Sequence, residues 1–174
     1  MKNAEEILKK TEYAHFYKPY LALAPFGDLT KVLTDDLYVQ LDFIKSISKD
    51  KLEYRYAKNK WSVAEVILHM TDAERVFSYR ALRFARNDKT ELPGFDENSW
   101  VKNAGSSRLS LNDLVGQFKT TRNQTIAMFK GFDEGDLLKT GIASNCSFSV
   151  RAIGYMIIGH NRHHIENIKI LYLR

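Results

Sequence analysis

The chain has 174 residues, the length of one ordinary domain, and its 44% hydrophobic and 27% charged residues fit neither a disordered nor a fibrous protein. Its net charge of +5 comes from 26 basic residues interspersed with 21 acidic ones, so we expect no nucleic acid as a partner. The N-terminus is charged and no apolar run approaches the ~18 residues of a membrane span, which predicts neither secretion nor membrane insertion. A single cysteine, Cys146, excludes an intramolecular disulfide and fits a reducing, cytoplasmic location.

Few helix breakers interrupt the chain, which has three prolines and nine glycines, and the periodic segments between them are long. This pattern favours an all-α fold over a many-stranded sheet. Residues 1–28 carry an aromatic cluster that includes His15, and they end at a break around Pro25. We therefore expect an N-terminal arm packed on a helical domain of residues 29–174, with His15 as a surface or packing residue.

Four amphipathic segments predict a four-helix bundle, because apolar residues recur in each at three-and-four spacing. The second helix has the clearest start, since Ser62 and Glu65 match a capping box and Trp61 precedes them at the staple position. The predicted helices span residues 29–48, 62–86, 110–131 and 149–173, with one extra turn at 133–138. The connection of ~20 residues after the second helix exceeds the ~2–8 usual in bundles, so we expect a functional or crossover loop there. A second loop is expected around Cys146, which we interpret as inert.

The last helix contains the strongest chemical signal, the segment from His160 to His164. At ~100° per residue, His160 and His164 lie ~40° apart on an otherwise apolar stripe, so both are expected to point into the bundle. Adjacent buried imidazoles are costly unless their nitrogens are bonded or metallated, although such pairs also occur by chance in helices without a metal. His163 has i, i+3 spacing to His160 and is an alternative ligand, or a group that supports one.

His69, in an apolar stretch of the second helix, is the natural third ligand, although a lone histidine there is more often a hydrogen-bonded core residue. Three histidines would leave coordination positions open, as catalytic zinc sites do. Asp72, one turn away, can orient the His69 imidazole or can instead pair with Arg75. Arg80 and Arg83, roughly 16–21 Å further along the helix, are expected to lie too far away to touch a metal and to brace the other end of the bundle.

In combination, these segments resemble the DinB-like (YfiT-type) superfamily of metal-dependent four-helix-bundle proteins. The resemblance rests, in chain order, on residues 60–65 running into His69, then 72–75, 79–86, 92–96 and 159–164, and it covers most of residues 29–174. It implies an up-down-down-up bundle in which the long connection between the second and third helices is a crossover. It also implies a divalent cation held by His69, His160 and His164.

The resemblance leaves the activity open, because some members are thiol transferases, others isomerise maleylpyruvate with a thiol cofactor, and many have no known activity. Our first hypothesis is a metal-dependent S-transferase that uses a low-molecular-weight thiol in detoxification or a stress response. The alternatives are a non-enzymatic metal-binding stress protein, a metal-dependent hydrolase, and a stable bundle whose histidines hold no metal. We expect zinc or nickel as the cation, a small-molecule substrate selected by residues 93–107 and 141–148, and a homodimer, as in related proteins. No catalytic residue is assigned.

Overall fold

The computed structural model describes residues 2–173 and confirms the predicted helical class. In chain order the helices are α1 (Ala4–Ile7), α2 (Lys18–Leu23), α3 (Leu29–Ser46), α4 (Val63–Ala85), α5 (Glu97–Asn103), α6 (Leu111–Lys130), α7 (Glu134–Leu138) and α8 (Val150–Asn167). A π-helical turn, Ile168–Tyr172, continues α8, and a hairpin of β1 (Thr140–Ala143) and β2 (Cys146–Ser149) precedes it. None of the helices between residues 2 and 173 combines the length and apolarity that crossing a membrane requires.

The four long helices α3, α4, α6 and α8 form the bundle, in which α3 and α4 each pack against both α6 and α8. Two contacts within each helix pair show the relative direction of its helices. They are Arg75–Gln117 and Ser78–Thr125 for α4 and α6, His69–His164 and Phe77–His160 for α4 and α8, and Leu29–Gly154 and Asp36–Arg162 for α3 and α8. From the first contact to the second, the residue numbers of both helices increase in the pairs α4–α6 and α3–α8. In the pair α4–α8 they increase along α4 and decrease along α8. Helix α4 is therefore parallel to α6 and antiparallel to α8, which confirms the up-down-down-up arrangement.

The connection between α4 and α6 is more ordered than the loop that the sequence predicts. It contains α5 and a 3₁₀ turn at Ser106–Arg108. Helix α5 forms because the Asp96 carboxylate accepts hydrogen bonds from the backbone N–H groups of Asn98 and Ser99, which caps a new helix start. The segment still acts as the crossover, since it returns the chain to the end of the bundle from which α6 runs parallel to α4.

The segment around Cys146 is a strand and not the expected loop. Strands β1 and β2 pair antiparallel and are joined by Ser144 and Asn145, whose φ angles are 53° and 59°. Two consecutive left-handed residues form the tight turn whose twist matches that of a hairpin. The hairpin is tied to the crossover, because Leu92 donates its N–H to the Ile142 carbonyl and accepts one from Ser144, both at 3.0 Å.

The N-terminal arm packs across α8. Helix α2 lies directly on α8, and a Cβ built at Gly159 would lie 1.8 Å from the Tyr20 carbonyl oxygen, so only glycine permits this approach. Glu12 is 7% exposed and accepts a hydrogen bond from Arg151 at 2.6 Å, which attaches the arm to the start of α8. The arm is thus part of the packed domain.

Charged residues at the centre of the bundle link all four long helices. Arg122 of α6 is fully buried and donates to Glu74 of α4 through Nε at 2.8 Å and Nη2 at 3.0 Å. Its Nη1 lies 3.5 Å from Asp36 of α3, and Asp36 accepts a hydrogen bond from Arg162 of α8 at 2.7 Å. Burial alone would lower the pKa of Arg122, but the Glu74 and Asp36 carboxylates raise it, so the guanidinium stays charged.

Replacing Glu74 with glutamine should lower the free energy of unfolding by ~3–5 kcal/mol, because it removes the main counter-charge of a fully buried guanidinium. Urea unfolding measures this loss. The matched control is Asp35→Asn, which removes the exposed pair between Lys31 and Asp35 and should change the stability little. Losses of similar size in the two variants would contradict a central role for the buried pair.

Gly159→Ala should push α2 off α8 and lower the free energy of unfolding by ~1–3 kcal/mol, because the added methyl group overlaps the Tyr20 carbonyl. Gly116→Ala is the control, since a Cβ at this mid-helix position has no neighbour within 4 Å and should stabilise α6 by up to ~1 kcal/mol. Thermal unfolding of both variants checks the difference. A Gly159→Ala protein as stable as the wild type would show that the close approach is dispensable.

Candidate metal centre

The start of α4 determines where His69 lies. Ser62 accepts a hydrogen bond from the Glu65 N–H at 3.3 Å, and the Glu65 carboxylate accepts one from the Ser62 N–H at 2.7 Å, which confirms the predicted capping box. Arg55 binds the same carboxylate at 2.6 Å and strengthens this helix start. Trp61, just before the cap, packs on the His69 ring with centroids 4.8 Å apart. The residue predicted at the staple position therefore also forms a wall of the site.

Three histidines from α4 and α8 converge on one point. His160 Nε2 lies 3.2 Å from His69 Nε2 and 3.1 Å from His164 Nε2, and the ligand atoms of all three residues lie within 4.8 Å of one another. Two nitrogens that bind one tetrahedral zinc ion at ~2.0–2.1 Å are ~3.3 Å apart. The two distances from His160 therefore match the spacing of ligands on one divalent cation, and His69 and His164 lie close enough to share it.

Burial keeps these imidazoles neutral. It lowers the pKa of His69 to about 4, and burial together with the charge of neighbouring His69 lowers the pKa of His160 to about 3. The pKa of His164 is also held well below its ordinary value, by burial and by the charges of His160 and His69. At neutral pH each ring therefore has a lone pair to offer, which is the protonation state that metal ligation requires.

His163 and Asp72, the two residues considered as supports for the ligands, lie outside the three-histidine group. His163 Nε2 forms a hydrogen bond with Asn167 Nδ2 at 3.0 Å, and its ring packs on Tyr20 with centroids 5.3 Å apart. Asp72 accepts a hydrogen bond from Arg75 at 2.8 Å, which is the intrahelical pair that the sequence offered as its alternative role. In the part of the chain that the structure describes, neither side chain forms a hydrogen bond with His69, His160 or His164.

A chain of hydrogen bonds behind His160 connects it to the central charges. His160 Nδ1 lies 3.4 Å from Asn161 Oδ1, and Asn161 Nδ2 donates to Glu74 Oε2 at 3.1 Å. Bonding of this kind orients a ligating imidazole through its second nitrogen. This support was not predicted from the sequence. The available signal was that Glu74 and Arg122 each interrupt the apolar stripe of their helix, where an unpaired charge would be very costly.

A cavity of about 220 Å³ opens beside the three histidines. Aromatic rings from the arm, from α4 and the residue before its cap, and from the crossover line it: Phe16, Tyr17, Tyr20, Trp61, Phe77 and Phe95. The Tyr20 ring packs against that of His160 with centroids 5.5 Å apart, so the arm, to which the sequence assigns no role, forms one wall. Glu97, an exposed residue at the start of α5, adds a carboxylate to the lining.

Arg80 lines the same cavity, so the expectation that it braces the far end of the bundle is wrong. Its Nη2 donates to the Pro93 carbonyl and to Ser144 Oγ, both at 2.9 Å. The axial distance along α4 misled the prediction, because long helical side chains lean toward the N-terminus of their helix and this one reaches back toward the histidines. Arg83, one turn further on, instead binds Asp88.

A second cavity, of about 240 Å³, shares Trp61 and His164 with the first. Its other walls include Tyr56, Asn98 and Asn167, which do not line the first cavity. The half-buried His164 ring and the Trp61 indole therefore lie between two separate spaces.

Two solved structures from Bacillus subtilis share this fold. YfiT, described as a probable metal-dependent hydrolase with an unusual four-helix bundle topology, aligns with a TM-score of 0.70 at 16% identity over 82% of this chain and 83% of its own. The DinB-like protein YjoA aligns with a TM-score of 0.59 at 19% identity over 83% of this chain and 88% of its own. Comparison with curated proteins gives no match. At these identities the structural likeness establishes the fold.

The sequence model of the DinB superfamily matches residues 34–168. This range covers most of the chain and contains His69, His160 and His164. It also runs from within α3 to the end of α8 and so takes in the whole bundle apart from the first turn of α3. The chain therefore belongs to the DinB superfamily.

Proposed function

We propose that this chain is a divalent-metal protein in which His69, His160 and His164 hold the cation. The observation that carries the proposal is the convergence of three neutral imidazoles, in which His160 Nε2 lies 3.2 Å from His69 Nε2 and 3.1 Å from His164 Nε2. Membership of the DinB superfamily supports it, as does the description of YfiT as a probable metal-dependent hydrolase. Zinc and nickel are the proposed ions, because both accept imidazole ligands, and three protein ligands leave coordination positions open.

A divalent cation bound here would supply a Lewis acid that lowers the pKa of a thiol or a water molecule. The protein's own groups prepare the site for it. The Asn161 side chain contacts the His160 ring at Nδ1, which leaves Nε2 directed at the nitrogens of His69 and His164. The rings of Trp61 and Phe77, packed on His69 and His160, limit the access of bulk water.

S-transfer from a low-molecular-weight thiol to an electrophile is the activity that we propose. The two cavities meet at His164 and Trp61, so a thiol and an electrophile can approach the same point from different spaces. In this reaction the sulfur forms a bond to the electrophilic carbon, the leaving group departs with its electron pair, and the thiol proton passes to solvent. Phe95, Glu97 and Ser144 of the cavity wall come from the two segments that the sequence predicts to select the substrate.

A metal-dependent hydrolase is the second candidate, and Glu97 is the residue that favours it. The sequence alone pointed to no carboxylate as a general base, whereas the structure shows Glu97 in the lining of the cavity beside the histidines. A carboxylate within reach of a water molecule can take its proton as that water attacks. The hydrolase would need only one of the two cavities.

The wild-type protein is expected to bind about one zinc or nickel ion per chain and to accelerate the reaction of a small thiol with 1-chloro-2,4-dinitrobenzene. His160→Ala should lower metal affinity and rate by ~100-fold or more, because it removes the central ligand. His15→Ala, an exposed change in the arm, is the control and should alter neither quantity.

The other outcomes separate the candidates. Ester hydrolysis that depends on the metal and falls in Glu97→Gln, without thiol conjugation, would identify a hydrolase. Stoichiometric metal with no turnover, and a melting temperature that drops sharply with chelator, would favour the non-enzymatic stress protein. Failure to bind either metal would show that the proposal is wrong.

The metal-free protein should lose stability as the pH falls from 6.5 toward 4. Folded His69 and His160 have pKa values of about 4 and about 3, whereas histidines in an unfolded chain take up protons near pH ~6.5. Between these values the unfolded chain binds more protons, so the free energy of unfolding has its full value above pH 6.5 and declines below it. Each histidine accounts for up to ~1.4 kcal/mol per pH unit.

Urea unfolding of chelator-stripped protein at pH 7, 6 and 5 measures this dependence. His160→Phe should reduce the slope, because the substituted ring does not titrate. An unfolding free energy that is the same at pH 7 and pH 5 would contradict the burial of neutral imidazoles.

A further inference from the structure

Arg80 differs from the other buried arginine of the described chain in having no counter-charge. Arg122 contacts two buried carboxylates, Glu74 and Asp36. Arg80 is 3% exposed, yet no carboxylate between residues 2 and 173 lies within ion-pair distance of its guanidinium. A buried, unpaired cation is destabilising, so its retention in a cavity wall indicates a partner from outside the chain.

The guanidinium is held in one orientation with part of its donor set unused. Arginine has five N–H donors, and the two on Nη2 donate to the Pro93 carbonyl and to Ser144 Oγ. Both acceptors lie on segments that are joined to each other, because Ser144 donates its N–H to Leu92 next to Pro93. The donors on Nε and Nη1 bond to no residue from 2 to 173.

The surroundings of Arg80 favour an anion with an apolar body. Its guanidinium lies over the Phe95 ring at 6.0 Å, and Tyr17 and Phe77 line the same cavity. Burial lowers the pKa of Arg80, which reflects the cost of keeping this charge away from water. Glu97, the carboxylate of the lining, is exposed and forms no ion pair with Arg80.

His69 and Arg80 lie along one stripe of α4 together with Ala73 and Phe77, and all four residues line the cavity. The spacing of four, four and three residues keeps them on one helix face. A molecule that fills this cavity can therefore contact both the histidines and the guanidinium.

We propose that Arg80 binds the carboxylate of the small molecule that occupies this cavity, with the apolar part of that molecule packed on Phe77 and Phe95. The proposal rests on the proposed function for the site, and it names its substrate class as an organic acid. The carboxylate can belong to the thiol or to the electrophile, since both would present the same group to the guanidinium. Arg80 is in this sense a specificity-determining residue.

Benzoate and benzamide, which differ in charge but share the aromatic ring, test the proposal on the full-length protein. Calorimetric or NMR titration of zinc-loaded protein, and of protein stripped with chelator and then dialysed, should give benzoate an affinity at least ~10-fold above that of benzamide in both. Arg80→Gln should abolish the preference. Arg83→Gln, one turn along the same helix and bound to Asp88, should retain it.

Equal affinities for the two ligands, no binding of benzoate, or an unchanged preference in Arg80→Gln would each overturn the proposal. The same holds if benzoate binds only the zinc-loaded protein and does so without Arg80, because the carboxylate would then contact the metal alone. Should Arg80→Gln fail to fold, the wild-type comparison of the two ligands in stripped protein still decides the matter. Metal content tests the proposed function separately, so the two failures can be told apart.

Competition with bound benzoate identifies the source of the carboxylate. Displacement by 3-mercaptopropionate and not by 2-mercaptoethanol would assign it to the thiol. Displacement by 4-chloro-3-nitrobenzoate and not by its amide would assign it to the electrophile. Either result supports the role of Arg80, and competition by the neutral analogue as effectively as by the acid would contradict it.

Discussion

The buried guanidinium of Arg122 imposes the constraint on which the rest of the structure depends. A charge with no exposed surface needs counter-charges at close range, and these come from Glu74 on α4 and Asp36 on α3, while α8 joins through Arg162. The relative positions of the four long helices are thereby coupled to one set of polar contacts. Glu74 also accepts a hydrogen bond from Asn161, so the same contacts orient His160. The packing of the bundle and the orientation of His160 therefore depend on the same polar contacts.

The two buried arginines differ in whether a carboxylate of the chain neutralises their charge. At the centre, Arg122 is neutralised by carboxylates of the chain, which makes that region a structural element. At the cavity, Arg80 is oriented by a carbonyl and a hydroxyl, neither of which supplies a negative charge. The three histidines beside it are neutral, so their region becomes more positive when a cation binds. An anionic small molecule is the proposed complement to this positive charge.

Several features were predictable because they depend on contacts within one or two turns of helix. The capping box at Ser62, the helical periodicity and the shared face of His160 and His164 follow from i, i+3 and i, i+4 geometry. Predictions failed where a side chain or a turn acts between segments. Arg80 was assigned to the wrong part of the bundle, and Cys146 to a loop, because axial distance ignores side-chain direction and a left-handed turn at Ser144 and Asn145 is a weak sequence signal.

The sequence by itself determined the four amphipathic helices and the pair of histidines on α8, because hydrophobic spacing and capping depend on residues that are neighbours in the chain. The resemblance to a family implied that His69 meets His160, but only the tertiary structure shows their contact across 91 positions of sequence. It alone also places Tyr20 of the arm against His160 and brings Glu97 and Arg80 to one cavity. These contacts arise from the crossover that makes α4 and α6 parallel and from the buried charges that fix helix register. No local pattern encodes them, since each joins residues whose distance depends on how whole helices pack.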